Sequence, residues 1–294
     1  MPYVEKRIKC GRVLEIIKYK KPPKPIRKED EPTDSTEDQQ EANQRKSVLR
    51  LTRYLRRNFC RENRDALYSY TSDRDMTETE AMKEARNLRD RLRRKRERLG
   101  LSELRAVVVA EKQSKWHFHV VMNGGLTLEQ AQEVWNVPKL NKEGKPDGWK
   151  QYRGGMNVRT LEGQETFIKL ARYMLGAEKT KKGKPEAGNV KELRPKGSRR
   201  WNATKNLKKP EVDIKPIKPP KFEQPKAPKG YVLIEDESCA RWDGFGNVYI
   251  KITCYKAVWK PEPEEKQQKK RRKKDERGIT KQQKPGMGNA TSVL

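Results

Sequence analysis

Histidine is almost missing from this chain: there are two among 294 residues, against 70 lysines and arginines. Cysteine is nearly as scarce. The four present (Cys10, Cys60, Cys239 and Cys254) are scattered and form no C-x-x-C pair, which argues against a zinc knuckle or a disulfide framework. They read as reduced thiols of a cytoplasmic protein. No apolar run is long enough for a signal peptide or a membrane span. No G-x-x-x-x-G-K-[ST] loop occurs, so any ATP-driven step is expected to belong to another protein. Hydrophobic residues make up only 32 %, too few for the whole length to pack as one domain. One core of ordinary size with basic, disordered linkers and a basic tail fits better.

What the chain has in abundance is positive charge. A formal net charge of +29 selects polyanionic partners, nucleic acid first.

Patterning divides the chain into six stretches. Residues 1–20 read as a β-hairpin around a Cys10-Gly11 turn, and 21–45 as a Pro-, Lys- and acid-rich linker. Residues 46–212 carry the expected catalytic domain. It opens with a basic amphipathic helix over 47–59, with Leu51, Tyr54, Leu55 and Asn58 on one face. A strand over 66–71 follows, then a helix begun by the capping box Thr77-x-x-Glu80. That helix turns Met82, Ala85, Leu88, Leu92 and Leu99 inward and stops at Gly100. Strands over 104–110 and 116–122 are joined by a hairpin loop. Thr127-x-x-Gln130 caps a helix carrying Leu128, Ala131 and Trp135, 155–160 is a brief strand, and 162–178 a helix striped by Phe167, Leu170, Ala171 and Met174. The expected class is α+β: an antiparallel sheet with helices packed on one side. Residues 179–200 are a basic loop, and a Lys-Pro linker occupies 213–229. A small β segment at 230–260 is too small to be stable alone and would be completed by pairing with the N-terminal hairpin. The tail, 261–294, carries a Lys-Arg run at 269–274 that reads as a polyanion-grasping arm, with nuclear import as the lesser alternative.

The two histidines sit two positions apart, in Trp116-His117-Phe118-His119-Val120. On a strand, residues i and i+2 share a face about 7 Å apart, so both imidazoles can grip one divalent ion. Trp116, Phe118 and Val120 then point into the core and hold the strand, which would keep a metal at the sheet's edge fixed. Glu111 ends the preceding strand, and across a hairpin its carboxylate completes a two-His, one-carboxylate set suited to Mg²⁺ or Mn²⁺ with open positions for phosphate oxygens and water. The plainer reading of Glu111 is a solvated loop carboxylate. A metal can polarise a phosphodiester, but cleavage needs a nucleophile. Tyr173 lies off the buried stripe of its helix, and Lys169, four residues earlier on the same face, supplies a charge that favours the phenolate or clamps the phosphate. The plainer reading of Tyr173 is packing at a core edge.

Together these residues resemble the HUH single-strand endonucleases, and within them the rolling-circle replication-associated proteins of phages and plasmids. The resemblance rests on the His-Phe-His strand, the carboxylate before it and the downstream helical tyrosine. It extends to Lys9-Cys10-Gly11, Leu67-Tyr68-Ser69-Tyr70-Thr71, Ala171-Arg172-Tyr173-Met174 and Thr204-Lys205-Asn206-Leu207-Lys208-Lys209-Pro210, covering roughly residues 1–212. It implies a metal on His117, His119 and Glu111 that orients the scissile phosphate of single-stranded origin DNA. Tyr173 would attack, leaving a 5′-phosphotyrosine link and a 3′-OH primer, with host helicase and polymerase acting in trans in a bacterial cytoplasm. The family commonly places a lysine three residues after the tyrosine, where this chain has Gly176. Lys169 or Lys179 would substitute, or strand transfer is impaired. One tyrosine is well placed, so a single-tyrosine mechanism is expected, with Tyr152 a weaker second candidate.

Two other readings compete. A non-catalytic nucleic-acid-binding protein would use its charge for phosphate contacts and Trp116, Trp135, Trp149 and Tyr152 for base stacking. A plasmid-mobilising relaxase shares the chemistry but usually carries a third histidine, which this chain lacks. Oligomeric state is not legible in the sequence.

Overall fold

Alternation of Val4, Ile8 and Cys10 toward the interior builds β1 (Tyr3–Cys10), which turns at Gly11 into β2 (Val13–Lys20). The turn needs glycine: Gly11 has φ +61°, and a Cβ there would run into the backbone carbonyl of Arg56. The computed structural model describes residues 2–22, 37–143, 146–151, 153–176 and 201–261. The Lys-Arg run at 269–274 and the loop containing Lys179 lie outside them, as do Tyr152 and most of the expected first linker.

The first helix, α1 (Glu37–Asn58), starts well before the expected residue 47, inside the stretch read as linker. Its first turns, Glu37-Asp38-Gln39-Gln40-Glu41-Ala42, lack an apolar stripe but are mostly strong helix formers. Propagation from the packed half extends the helix over them. Val48, Leu51 and Leu55 are buried, with Tyr54 at the margin. Next come β3 (Ala66–Ser72), α2 (Glu78–Arg98), β4 (Ala106–Lys112), β5 (Trp116–Met122) and α3 (Leu128–Trp135). Both capping boxes form, Thr77 with Glu80 and Thr127 with Gln130, and the backbone leaves α2 through Gly100 at φ +65°. Leu99 and Leu128, expected inward, are exposed, because one sits at the C-cap and the other at the first helical position.

A short hairpin of β6 (Val137–Leu140) and β7 (Pro146–Gln151) was not anticipated. β8 (Met156–Thr160) and α4 (Phe167–Met174) follow; α4 begins after a 3-10 turn at 164–166, and residues beyond 176 in the expected helix lie outside the described set. β9 (Asn202–Ala203) leads to β10 (Glu211–Ile217), β11 (Tyr231–Leu233), β12 (Cys239–Trp242) and β13 (Val248–Lys256).

The strands form two large antiparallel sheets. One runs β8-β3-β5-β4-β9. Its inner strands bury apolar side chains on both faces over much of their length, as the unbroken Val107-Val108-Val109-Ala110 run requires. Tyr68, Val108, Phe118 and Val120 face α2 and α3 (Ala85, Leu88, Leu92, Trp135), whereas Leu67, Val107, Val109 and Val121 face α1 and α4 (Leu51, Leu55, Phe167, Ala171). The α+β class is as expected. The placement of all helices on one side is corrected: they cover both faces, since a strand without alternation has two faces to bury.

The other sheet runs β10-β1-β2-β13-β11, with β12 also paired to β13. The N-terminal hairpin and the small β segment thus share one sheet, joined at β2–β13. β10 corrects the reading of 213–229 as linker throughout: Val212, Ile214 and Pro216 are strand positions paired with β1. Proline is tolerated there because β10 is an edge strand. Residues up to Val258 form one unit. Among the described residues no helix is long and apolar enough to cross a membrane.

Candidate active site

One face of the five-stranded sheet changes character along its strands. Toward one end it is apolar (Leu67, Val107, Val121) and covered by α1 and α4. Toward the other, the register brings Ser69 and Thr71 of β3 opposite His119 and His117 of β5, and Glu111 of β4 opposite His117. Partners in register point to the same side, so five polar side chains converge where the apolar cover stops. Trp116, Phe118 and Val120 point to the opposite face and are buried there. β5 is the central strand, so the histidines stand on a sheet face rather than at an edge.

Each imidazole is oriented by a hydroxyl. Nδ1 of His119 lies 3.0 Å from Oγ of Ser69, and Nδ1 of His117 lies 3.2 Å from Oγ1 of Thr71. The two rings are nearly parallel, 8° apart, with centroids separated by 6.3 Å. His119 is buried, and its Nε2 is 3.2 Å from Oε2 of Glu111, itself buried and also in contact with the Gln113 amide at 3.3 Å. Burial, and then the neighbouring His119, hold the His117 imidazole below the ordinary histidine range, with Glu111 pulling the other way, which favours the neutral, ligand-competent ring. The sequence motif had included Ser69 and Thr71 without assigning them a task. Their signal was a small hydroxyl at alternate positions of a strand otherwise made of leucine and tyrosine.

Tyr173 comes from α4. The helix buries Phe167, Ala171 and Met174 against the sheet, which leaves Tyr173 half-buried at the border of the polar patch. Its ring packs on His119, with centroids 4.9 Å apart and planes at 57°. Residues 54 positions apart in sequence are thereby in contact. Lys169 is exposed one turn earlier and makes no hydrogen bond or ion pair with Tyr173, His117, His119 or Glu111 among the described residues. Gly176, just past the helix, has φ +61° and lies against the Glu111 carboxylate.

No protein-family model matches the chain, and no curated protein or solved structure matches it either. The chemistry of the site therefore rests on its own geometry. Among the described residues no three His, Cys, Asp or Glu side chains already close around a common point as a metal-holding group. Glu111 approaches His119, while His117 stands parallel alongside. The donor set still fits a divalent ion: with both Nδ1 atoms engaged by hydroxyls, Nε2 of each ring is the nitrogen left for a ligand, and a carboxylate already touches one of them.

Two of the proposed stacking aromatics have other tasks. Trp116 and Trp135 are buried, with their indole N–H groups donating to the carbonyls of Met76 and Thr71 at 2.7 and 3.2 Å. They are core residues. The Trp149 side chain lies outside the described set. The motif around Thr204 is also structural. Thr204 Oγ1 accepts from the Ala106 amide, and Asn206 donates to the carbonyl of Leu104, fastening the chain to the β4 edge.

Proposed function

We propose that this protein is a metal-dependent single-strand DNA endonuclease and strand transferase of the rolling-circle replication-initiator kind, with Tyr173 as nucleophile. The observation that carries the reading is the packing of the Tyr173 ring on His119, which brings a phenol beside two imidazoles and a carboxylate in a chain of net charge +29. His117, His119 and Glu111 would hold Mg²⁺ or Mn²⁺, and such an ion polarises phosphoryl oxygens and favours the leaving 3′ oxygen. Tyr173 supplies the oxygen that attacks phosphorus. Its O–P bond forms as the bond to the 3′ oxygen breaks; the phenol loses its proton and the 3′ oxygen gains one, giving a 5′-phosphotyrosine and a free 3′-OH. Lys169, exposed four residues before Tyr173, would meet the incoming phosphate rather than touch the phenol. The substrate is single-stranded origin DNA, and unwinding and synthesis fall to helicase and polymerase of the bacterial host cytoplasm.

A non-catalytic nucleic-acid-binding protein would need the charge but not a tyrosine against a His-Glu pair. The test is an adduct assay with 5′- and 3′-labelled single strands from the protein's own replicon, with Mn²⁺ or with EDTA, on denaturing gels. A metal-dependent, SDS-stable protein–DNA band carrying the label 3′ of the nick is the expected result. Tight binding with no adduct on any such strand would favour the binding protein.

A further inference from the structure

The six-stranded sheet carries aromatic rings that the proposed nicking site does not use. Trp242 ends β12 on the same face as Ile250 and Ile252, and that face is crossed by the segment between β10 and β11, whose Ala227 packs into the cluster of Ile16, Val248, Ile250 and Ile252. Phe222 of this segment lies flat on Trp242, with centroids 5.5 Å apart and planes 6° from parallel. Both rings stay open to solvent, Trp242 by 58 % and Phe222 by 42 %. At the tip of the next turn Phe245 is 92 % exposed.

That turn is rigid. Oδ1 of Asp243 accepts from the amides of Phe245 and Asn247 at 2.9 and 2.8 Å, and the Asn247 side chain donates back to both Asp243 oxygens. A phenylalanine held out on a fixed turn, next to an exposed parallel aromatic pair, is an unfavourable use of apolar surface unless something covers it. The surroundings say what. Lys218, Lys221, Lys226 and Lys229 line the crossing segment, with Glu223 the one acidic residue among them. Lysine is depleted at protein–protein interfaces, whereas flat aromatics amid lysines suit unpaired bases on a phosphate backbone.

We infer that Trp242, Phe222 and Phe245 form a base-stacking platform for single-stranded DNA, a second strand-binding site apart from the residues around Tyr173. It rests on the nicking reading only in taking single-stranded DNA as the strand. Stacking of this kind is sequence-tolerant and needs unpaired bases, so the platform would hold strand flanking the nick or displaced from it.

The test is fluorescence anisotropy of a labelled oligo(dT) and of a duplex of equal length, with the full chain at physiological salt. All proteins carry Tyr173→Phe, so that nicking cannot contribute. Trp242→Ala and Phe245→Ala should each weaken single-strand binding about 5- to 100-fold, while Trp242→Phe keeps most of it. Duplex binding should not move in either variant, and the thermal midpoint should stay put in Phe245→Ala, which has almost no packing to lose. Wild-type-like single-strand affinity in both alanine variants would overturn the platform, and so would equal losses on duplex. Because the readout is equilibrium binding in a protein that cannot nick, failure here and failure of the adduct assay are separate results.

Discussion

Gly176 and Glu111 touch across the site: at φ +61° the glycine presents its bare Cα to the carboxylate, and an added Cβ would stand 2.5 Å from Oε1. This is the position at which the resembling family commonly carries lysine. Placing a lysine there should therefore not improve the protein. Gly176→Lys and Gly176→Ala are both expected to push Glu111 off its place beside His119. Displacing a proposed ligand should weaken Mn²⁺ binding by about 10-fold or more, at least as much as losing an outer-shell partner. A non-glycine residue in the left-handed region adds about 1–2 kcal/mol of destabilisation. Titration calorimetry with Mn²⁺ reads the first effect and urea denaturation the second. A Gly176→Lys variant that binds Mn²⁺ normally and rejoins strands faster would show that the site accommodates a lysine there.

Tyr173→Phe separates the nucleophile from the packing. The ring that rests on His119 is retained, so stability should change by less than about 0.5 kcal/mol. Adduct formation should disappear, and affinity for the same strand should stay within about twofold. A covalent product that survives the substitution would remove Tyr173 from the chemistry, and peptide mapping of that product would say what replaces it.

Ser69 and Thr71 hydrogen-bond the imidazoles, and on the proposed reading they orient these rings rather than touch DNA. Ser69→Ala and Thr71→Val each delete one hydroxyl facing Nδ1 while keeping the strand's shape. The expected consequence is 10- to 100-fold weaker Mn²⁺ binding with little change in strand affinity. Ser69→Thr and Thr71→Ser, which keep the hydroxyl, should restore it. Equal loss in the conservative variants would mark the effect as packing.

Much of this site was legible because its parts are short-range. The His-Phe-His strand, both capping boxes and the Gly100 stop are set by residues within a few positions of one another. The placement of Glu111 beside the histidines also follows from one hairpin register, which sets it opposite His117 and diagonal to His119. What was not legible depends on partners distant in sequence. Whether helices cover one sheet face or two is decided by which elements meet Val107, Val109 and Val121, and a run such as Val107-Val108-Val109 offers only the hint that both faces are buried. β10 escaped because lysine and proline dominate its surroundings and only Val212 and Ile214 alternate; its strand character comes from β1 beside it. Trp116 is buried beside Phe118 and Val120 as its strand alternation predicts, and the burial of Trp116 and Trp135 counts only against the base-stacking role that the competing binding-protein reading gives them.

Glu15 links acid sensitivity to the joint between the second sheet and α1. Burial alone would raise its pKa, but Arg53 outweighs that, donating to both carboxylate oxygens at 2.6 and 3.1 Å and holding the group below its ordinary value of 4.5. A carboxylate depressed on folding contributes stability above the unfolded pKa and loses it as pH falls through the folded one. Stability of the wild type should thus decline on acidification below about pH 4.5, and Glu15→Gln should flatten that decline while lowering stability at pH 7. Urea midpoints measured between pH 3 and 7 test this. Parallel curves for the two proteins would remove Glu15 from the acid response.

The deepest link between the C-terminal β segment and the rest is Arg56 with Glu237. The guanidinium is fully buried, ion-paired to Glu237, and also donates to the carbonyls of Gln164 and Glu165 in the turn before α4. One side chain of α1 thereby ties residues 235–237 to the helix that carries Tyr173. Removing Glu237 strands a buried cation, which costs about 3–5 kcal/mol. Glu237→Ala is accordingly expected to lower the urea midpoint sharply, and a chain ending at residue 229 should fare worse, losing β13 from the middle of its sheet as well. Glu237→Gln, which keeps the acceptor oxygen, should fall between wild type and alanine. If Glu237→Ala instead unfolds at the wild-type midpoint, the segment is a passenger on the sheet, and its contribution would be confined to whatever its exposed aromatics bind.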